Sequence, residues 1–422
     1  MTATVVVLTN DWPSGGSTSQ HRDERPFITR RIAGALAIDA EVTVVTPQGD
    51  RSTVAPDGAF TVHSLGHGVD PDRALQEALV VEALRAGGCE VPNATSPSPA
   101  ERGERDLSTG SDWSAPGAPR RATLVDHARR WMRAGRDPWR GAEALFEALQ
   151  PDLVVVAGSR HLGISELLDQ VDAPVALLPF GEDARLLSLG LYDQLAARAS
   201  VVLATSAYER AVLAQAIPAS LARLESVGLF VPVHPGARRE PYPVVDDRRY
   251  VLVLCPEPLK APSGAATFAR LLGRRRFPHA VVVSHPDALV LWERGVHRCF
   301  DPITRALDLW RLMAWAFCTV DLRPGRFLAL TVIESLRYQT PVIVPDGGVA
   351  AAHARDGDGG LWFRDAAELI AAVELMAEPE VAEQLGRQGA RYADAWYGSS
   401  ETFVQRVRAA TTITRASSTP KP

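Results

Sequence analysis

What most constrains this chain is an alternation: short, nearly continuous apolar runs rich in β-branched residues, each followed by a stretch with helical apolar spacing. Residues 4–8, 41–46, 152–157, 175–178 and 200–204 read as strands, with a further β-rich piece at 60–65 and a short strand near 224–227. Helical spacing fills 26–38, 71–86, 122–134, 141–149, 164–170, 190–198 and 207–216. A run such as Thr4-Val5-Val6-Val7-Leu8 lacks the polar alternation of a half-solvated strand, so it belongs in a parallel sheet covered on both faces. In the first helix Phe27, Ile32, Ala35 and Leu36 form the inward stripe, and Pro26 suits its first turn. Residues 231–247 hold Pro232, Pro235, Pro241 and Pro243, a density that no helix interior or central strand carries. Beyond them the alternation resumes, with strands at 250–254, 280–284, 318–322 and 341–344 and helices at 265–272, 303–316, 330–338, 366–377 and 380–392.

The expectation is an α/β protein of two doubly wound domains, 1–232 and 248–395, joined by a linker at 233–247. A late helix at 396–412 and a polar, disordered tail at 413–422 complete it. A length of 422 residues suits two or three domains. Residues 90–121, dominated by Pro, Ser, Gly and charge, cannot bury enough apolar surface to offset chain entropy and read as a disordered insertion.

A formal charge of −5 argues against nucleic acid as the partner. Cys89, Cys255, Cys299 and Cys318 show no metal-ligand spacing and no disulfide pattern, which fits a reducing cytoplasm. The first residues lack the pattern of an export signal, and no apolar run approaches the ~20 residues of a membrane span.

Ligands of doubly wound sheets sit beyond the carboxyl ends of the strands. Four loops there carry chemistry. After the first strand, Gly15 and Gly16 form either a tight turn or a loop whose N–H groups approach an anionic or sugar ligand. After 175–178, Phe180 precedes Glu182 and Asp183, two carboxylates able to bind sugar hydroxyls or to cap a helix. After 250–254 comes Lys260. The chain holds 43 arginines and only two lysines, the other being Lys421, so Lys260 is either a required compact ammonium or a chance survivor. After 318–322, the run Arg326-Phe327-Leu328-Ala329-Leu330 opens into a helix bearing Glu334 one turn inside. Amides at that helix start suit a phosphate and Glu334 a ribose, unless Glu334 merely lies on a solvated face.

The stretch 327–345, with Gly347-Gly348, the run Asp356-Gly357-Asp358-Gly359-Gly360-Leu361-Trp362 and 379–392, resembles the carboxyl-terminal half of retaining GT-B glycosyltransferases of family four. Thr9-Asn10-Asp11-Trp12-Pro13, Gly15-Gly16 and 42–47 look like that family's amino-terminal domain, and 203–210 with Val227-Gly228 like its approach to the linker. The resemblance implies a GT-B fold: two Rossmann-like domains facing across a cleft, with the late helix crossing back to the first. It implies a nucleotide-sugar donor in the second domain, an acceptor in the first, transfer with retention, no metal and no cofactor beyond the substrate.

The family's basic pair after the first strand of the second domain falls on Pro256 and near Lys260, and its paired glutamates on Arg326 and Glu334. Glu334 and Lys260 are therefore the implied catalytic residues. Arg326, Phe327, Leu328, Ala329 and Leu330 line the implied donor site, Ala329 standing where a glycine is common and Phe180 where a histidine often is. An arginine cannot accept hydroxyl protons as a carboxylate does, but it pairs with a carboxylate or phosphate. The reversal leaves open an active transferase with an unusual, acidic donor or a repositioned loop, or a degenerate transferase that binds a ligand or partner without catalysis. Nucleotide-sugar epimerases share the scaffold and form a third alternative.

Residues 122–140 place Arg129, Arg130, Arg133, Arg136 and Arg140 beside Trp131, Met132 and Trp139. Such a segment either lies on an anionic membrane at the inner face, or packs Leu124, Ala128 and Trp131 inward as an ordinary helix.

Overall fold

The computed structural model describes residues 2–9, 25–46, 53–54, 58–65, 139, 141–158, 164–179, 193–217, 223–239, 250–255, 280–284, 298–300, 306–322 and 328–417. They form two compact units, one drawn from Met1–Ser14, Ile28–Val227 and Val404–Pro422, the other from Gly15–Phe27 and Gly228–Phe403. The insertion at 90–121 and the helices expected at 71–86, 122–134 and 265–272 lie outside the described residues.

Unit 1 is built on eight strands: β1 (Ala3–Leu8), β2 (Ala40–Thr46), β3 (Thr53–Val54), β4 (Thr61–Ser64), β5 (Leu153–Ala157), β6 (Val175–Leu178), β7 (Val201–Ala204) and β8 (Arg223–Ser226). Their order is β3-β4-β2-β1-β5-β6-β7-β8. Only the β3–β4 pair is antiparallel. The sheet grows in one direction from β1 and in the other from β5, which puts its switch point between those two strands. β5 and β6 are buried along their whole length, as their unbroken apolar runs require. One face of this sheet packs Val6, Leu8, Val154, Val156 and Leu177 with Phe146 and Trp139. Trp139, one of the aromatics of the segment read as either membrane-lying or an ordinary packed helix, is 3% exposed in this core and is not available to a lipid surface.

The helix Ser400–Ser417 passes residue 412, where the sequence reading ends it. No glycine or proline interrupts it, and Thr411 Oγ1 returns its proton to the turn behind, 3.1 Å from the Val407 carbonyl. Within unit 1, Arg408 of this helix pairs with Asp39 at 3.3 Å, and Arg223 donates to the Ala410 carbonyl.

Unit 2 holds β9 (Tyr250–Cys255), β10 (Ala280–Ser284), β11 (Arg298–Phe300), β12 (Ala316–Asp321), β13 (Val342–Pro345) and β14 (Gly360–Phe363), in the order β11-β10-β9-β12-β13-β14. Every pairing is parallel. β9 shows why the sheet is covered twice. Val251 and Val253 point to the face packed by Leu369, Val373 and Met376 of the helix Ala366–Met376. Tyr250, Leu252 and Leu254 point to the face packed by Leu309, Leu312 and Met313 of the helix Ala306–Trp315.

The helix Gly348–Asp356 and the strands β11 and β14 were absent from the sequence reading. The described part of the proline-rich segment is bonded into unit 2. Val231 N–H donates to the Tyr397 carbonyl at 2.9 Å, His234 N–H to Tyr338 Oη at 2.9 Å, and Arg337 to the Val231 carbonyl. Among the described residues no helix is long and apolar enough to cross a membrane.

Candidate functional site

The unit 2 sheet reverses its direction of growth between β9 and β12, so its switch point lies at their carboxyl ends. Leu254 pairs with Asp321, and Leu322 N–H donates to the Leu254 carbonyl at 3.2 Å. The loop bearing Lys260 and the loop bearing Arg326 therefore leave neighbouring strand ends, a juxtaposition that a linear sequence does not show. Lys260, Pro256, Arg326 and Phe327 themselves lie outside the described residues, as do Gly15, Gly16, Phe180, Glu182 and Asp183. Gly15 and Gly16 follow β1, one strand of the unit 1 switch point, whereas Phe180, Glu182 and Asp183 follow β6.

The described part of the site begins at Leu328. Leu328, Ala329 and Leu330 are buried. Ala329 stands at φ 48, ψ 52, the left-handed region, and caps the helix Leu330–Arg337 without a side-chain bond. Its carbonyl accepts from Val332 N–H (2.9 Å) and Ile333 N–H (3.1 Å), which starts the helix abruptly at the carboxyl edge of the sheet. That start presents the positive end of the helix dipole at the switch point. An alanine held there is strained by about 1–2 kcal/mol. Ala329→Gly is expected to stabilise the protein by about 0.5–1 kcal/mol, the relieved strain exceeding glycine's extra chain entropy. The urea midpoint checks it; a lower midpoint would mean that the buried methyl contributes more than the strain.

Two side-chain bonds tie this helix to β12, and two more brace the turn that follows it. Thr331 Oγ1 donates to Asp321 Oδ2 at 3.0 Å, tying the first turn to the end of β12. Ser335 Oγ sits between Thr319 Oγ1 (2.8 Å) and the Thr340 carbonyl (3.0 Å). Thr340 Oγ1 in turn donates to the Met313 carbonyl at 2.7 Å. Glu334 lies on the same helix and is 3% exposed, so it is not on a solvated face.

Behind the loop lies a residue that the sequence reading missed. His353, in the helix Gly348–Asp356, is fully buried, with Nε2 3.2 Å from the Leu328 carbonyl and Nδ1 2.9 Å from Tyr392 Oη. Burial lowers its pKa to about 4, against a smaller opposite effect of the Leu328 carbonyl. Its one sequence signal is a lone polar residue inside an alanine run.

No protein-family model matches the sequence, and no curated protein matches it. Solved structures do. The chain is similar to a sucrose-phosphate synthase from Thermosynechococcus elongatus, with TM-score 0.63 and 13% identity, over 98% of this chain and 100% of that one. It is similar to an α,α-trehalose 6-phosphate synthase from Burkholderia multivorans, with TM-score 0.66 and 11% identity, over 99% and 100%. A trehalose-6-phosphate protein from E. coli bound with UDP-2-fluoro glucose matches with TM-score 0.63 and 11% identity, over 97% and 99%. Spread over nearly the whole chain, this likeness gives the protein the α/β fold of the GT-B glycosyltransferases.

Proposed function

We propose that the protein is a glycosyltransferase that moves a sugar from a nucleotide-sugar donor to an acceptor, with retention and without a metal, in the cytoplasm. The observation that carries this reading is the helix start at Ala329–Leu330 on the unit 2 switch point, beside the strand end from which Lys260 follows. A leaving diphosphate needs positive charge placed before it forms, and helix amides with one ammonium supply it. Lys260 pairs with the diphosphate and Glu334 accepts from the ribose hydroxyls, while Gly15 and Gly16 approach the sugar. Phe180, Glu182 and Asp183 are the further residues assigned to donor or substrate binding. Arg326, standing where a sugar-binding carboxylate is expected, favours a donor sugar that itself carries a carboxylate or phosphate.

The neighbours' chemistry is consistent with this: one is bound with UDP-2-fluoro glucose, and another concerns glycosyl transfer with retention by a trehalose-6-phosphate synthase. A second reading, binding without catalysis, is favoured by the charge reversal at Arg326 and by Pro256 in the place of a basic residue.

Mass-spectrometric product analysis with UDP-, GDP- and ADP-sugars, uronic acids included, separates the alternatives. A transferase releases nucleoside diphosphate in proportion to added acceptor, and an epimerase converts donor without acceptor. Bound but unturned donor supports the second reading, and neither binding nor turnover contradicts both. Glu334→Gln is expected to weaken nucleoside diphosphate binding about tenfold or more, since a hydrogen bond to a charged group is worth ~1.5–3 kcal/mol. Equal affinity by calorimetry would remove Glu334 from the site.

A further inference from the structure

We propose that His353, oriented by Tyr392 and Tyr397, is a positioning residue for the donor loop: it fixes the Leu328–Ala329 peptide and with it the direction of the amides that open the helix Leu330–Arg337. The functional consequence rests on the donor reading above; the geometry does not.

The proton positions follow from the acceptors. The Leu328 carbonyl can only accept, so the imidazole Nε2 facing it at 3.2 Å carries the proton. In the neutral ring Nδ1 then holds a lone pair, and Tyr392 O–H donates to it at 2.9 Å. Tyr392's oxygen is stabilised in turn by a hydrogen bond from Tyr397, whose side chain is fully buried. The three rings pack closely, His353 edge-on to Tyr397 at 5.6 Å between centroids and Tyr392 6.2 Å from Tyr397. Both tyrosines belong to the helix Pro379–Tyr397, so the chain of bonds runs from that helix through His353 to the loop.

The seat is also sterically set. A Cβ on Gly357 would lie 2.9 Å from Tyr392 Cδ1 and 3.1 Å from the His353 carbonyl. An apolar side chain would fill the space of His353 without the desolvation of an imidazole; what the imidazole adds is direction. The magnitudes match the task. One such hydrogen bond contributes about 0.5–1.5 kcal/mol. The left-handed Ala329 next to it is strained by about 1–2 kcal/mol. The bond is therefore of the right size to hold a loop that would otherwise relax.

The test uses the full chain and four variants, Tyr392→Phe, His353→Phe, His353→Gln and Ala329→Gly combined with Tyr392→Phe. Two readouts are taken: amide hydrogen exchange over 328–332, and affinity for UDP, GDP and ADP beside the corresponding nucleosides. Tyr392→Phe is expected to speed exchange in 328–332 about tenfold while β5 exchanges as before, and to weaken the bound diphosphate severalfold more than the nucleoside. His353→Gln, whose amide still donates to the Leu328 carbonyl, is expected to recover most of what His353→Phe loses. Unchanged exchange at 328–332 in Tyr392→Phe would overturn the proposal, and so would faster exchange with undiminished diphosphate affinity. If the unaltered protein binds none of the three diphosphates, the donor reading fails, and exchange alone decides whether His353 positions the loop. Tyr392→Phe keeps the ring and its packing, so the test survives a His353→Phe that does not fold.

Discussion

Gly386→Ala is expected to lower the stability of unit 2 by about 3 kcal/mol or more, at the upper end of what overpacking does in a close-packed interior. The helix Pro379–Tyr397 crosses the end of the helix Leu330–Arg337 on a two-glycine seat. A Cβ at Gly386 would stand 2.2 Å from the Gln339 carbonyl oxygen and 3.0 Å from its carbon. A Cβ at Gly389 would stand 2.6 Å from Leu336 Cδ2 and 2.9 Å from the Gly359 Cα. The obstacles at Gly386 are backbone atoms of a turn whose residue Gln339 is already at φ 61, so they cannot rotate aside. The whole helix has to lift, and Tyr392 and Tyr397 lift with it. Gly34→Ala is the control. In the helix Arg25–Leu36 its Cβ would meet, among the described residues, only Phe60 at 3.9 Å. It should gain up to about 1 kcal/mol from helix propensity. A Gly386→Ala protein with an unchanged urea midpoint would show that the two helices are not in this close approach.

The second large effect is acid sensitivity from His353. Its pKa falls to about 4 in the folded protein because burial disfavours the imidazolium. In the unfolded chain it is near 6.5. Above pH 6.5 both states are neutral at this residue, and it contributes no pH dependence. Between pH 6.5 and 4 the unfolded chain takes up a proton that the folded one refuses, so stability falls as pH falls. Below pH 4 both are protonated and the loss, about 3 kcal/mol, is complete. The groups facing the ring are the Leu328 carbonyl and the two tyrosines. Replacement by glutamine removes this titration, so the stability of His353→Gln relative to the unaltered protein should rise as pH drops from 7 to 4. Parallel curves over that range, by denaturant unfolding, would contradict a buried neutral His353.

Much of the fold was legible because parallel strands buried on both faces must be written as apolar runs. Leu153–Ala157 and Val175–Leu178 could be read directly, and the second alternation after the prolines gave β9, β10 and β12. The helix Gly348–Asp356 escaped because glycines at its start and just past its end make it look like loop, while its interior is mostly alanine without a stripe of large residues. β14 opens on Gly360 directly after Gly357 and Gly359, so it reads as a continuation of a glycine-rich loop. At the site, Glu334 and the helix start at Leu330 were visible as a motif. The adjacency of the loops after β9 and β12 was not, because strand order is a property of the sheet. His353 and Tyr392 lie 39 residues apart and meet only when two helices pack. Asp321 falls within the strand read at 318–322, but its bond to Thr331 forms only when the start of the next helix packs on the end of β12.

The claim beneath the functional reading is that unit 2 binds a nucleoside diphosphate at the start of the helix Leu330–Arg337. Thermal unfolding of the full chain with UDP, GDP or ADP at one hundred times Kd should show about 2.7 kcal/mol of stabilisation, a rise of roughly 5–10 °C in Tm. The matching nucleosides should give a smaller rise, and Glu334→Gln should diminish the effect. No shift with any diphosphate at millimolar concentration would contradict the account.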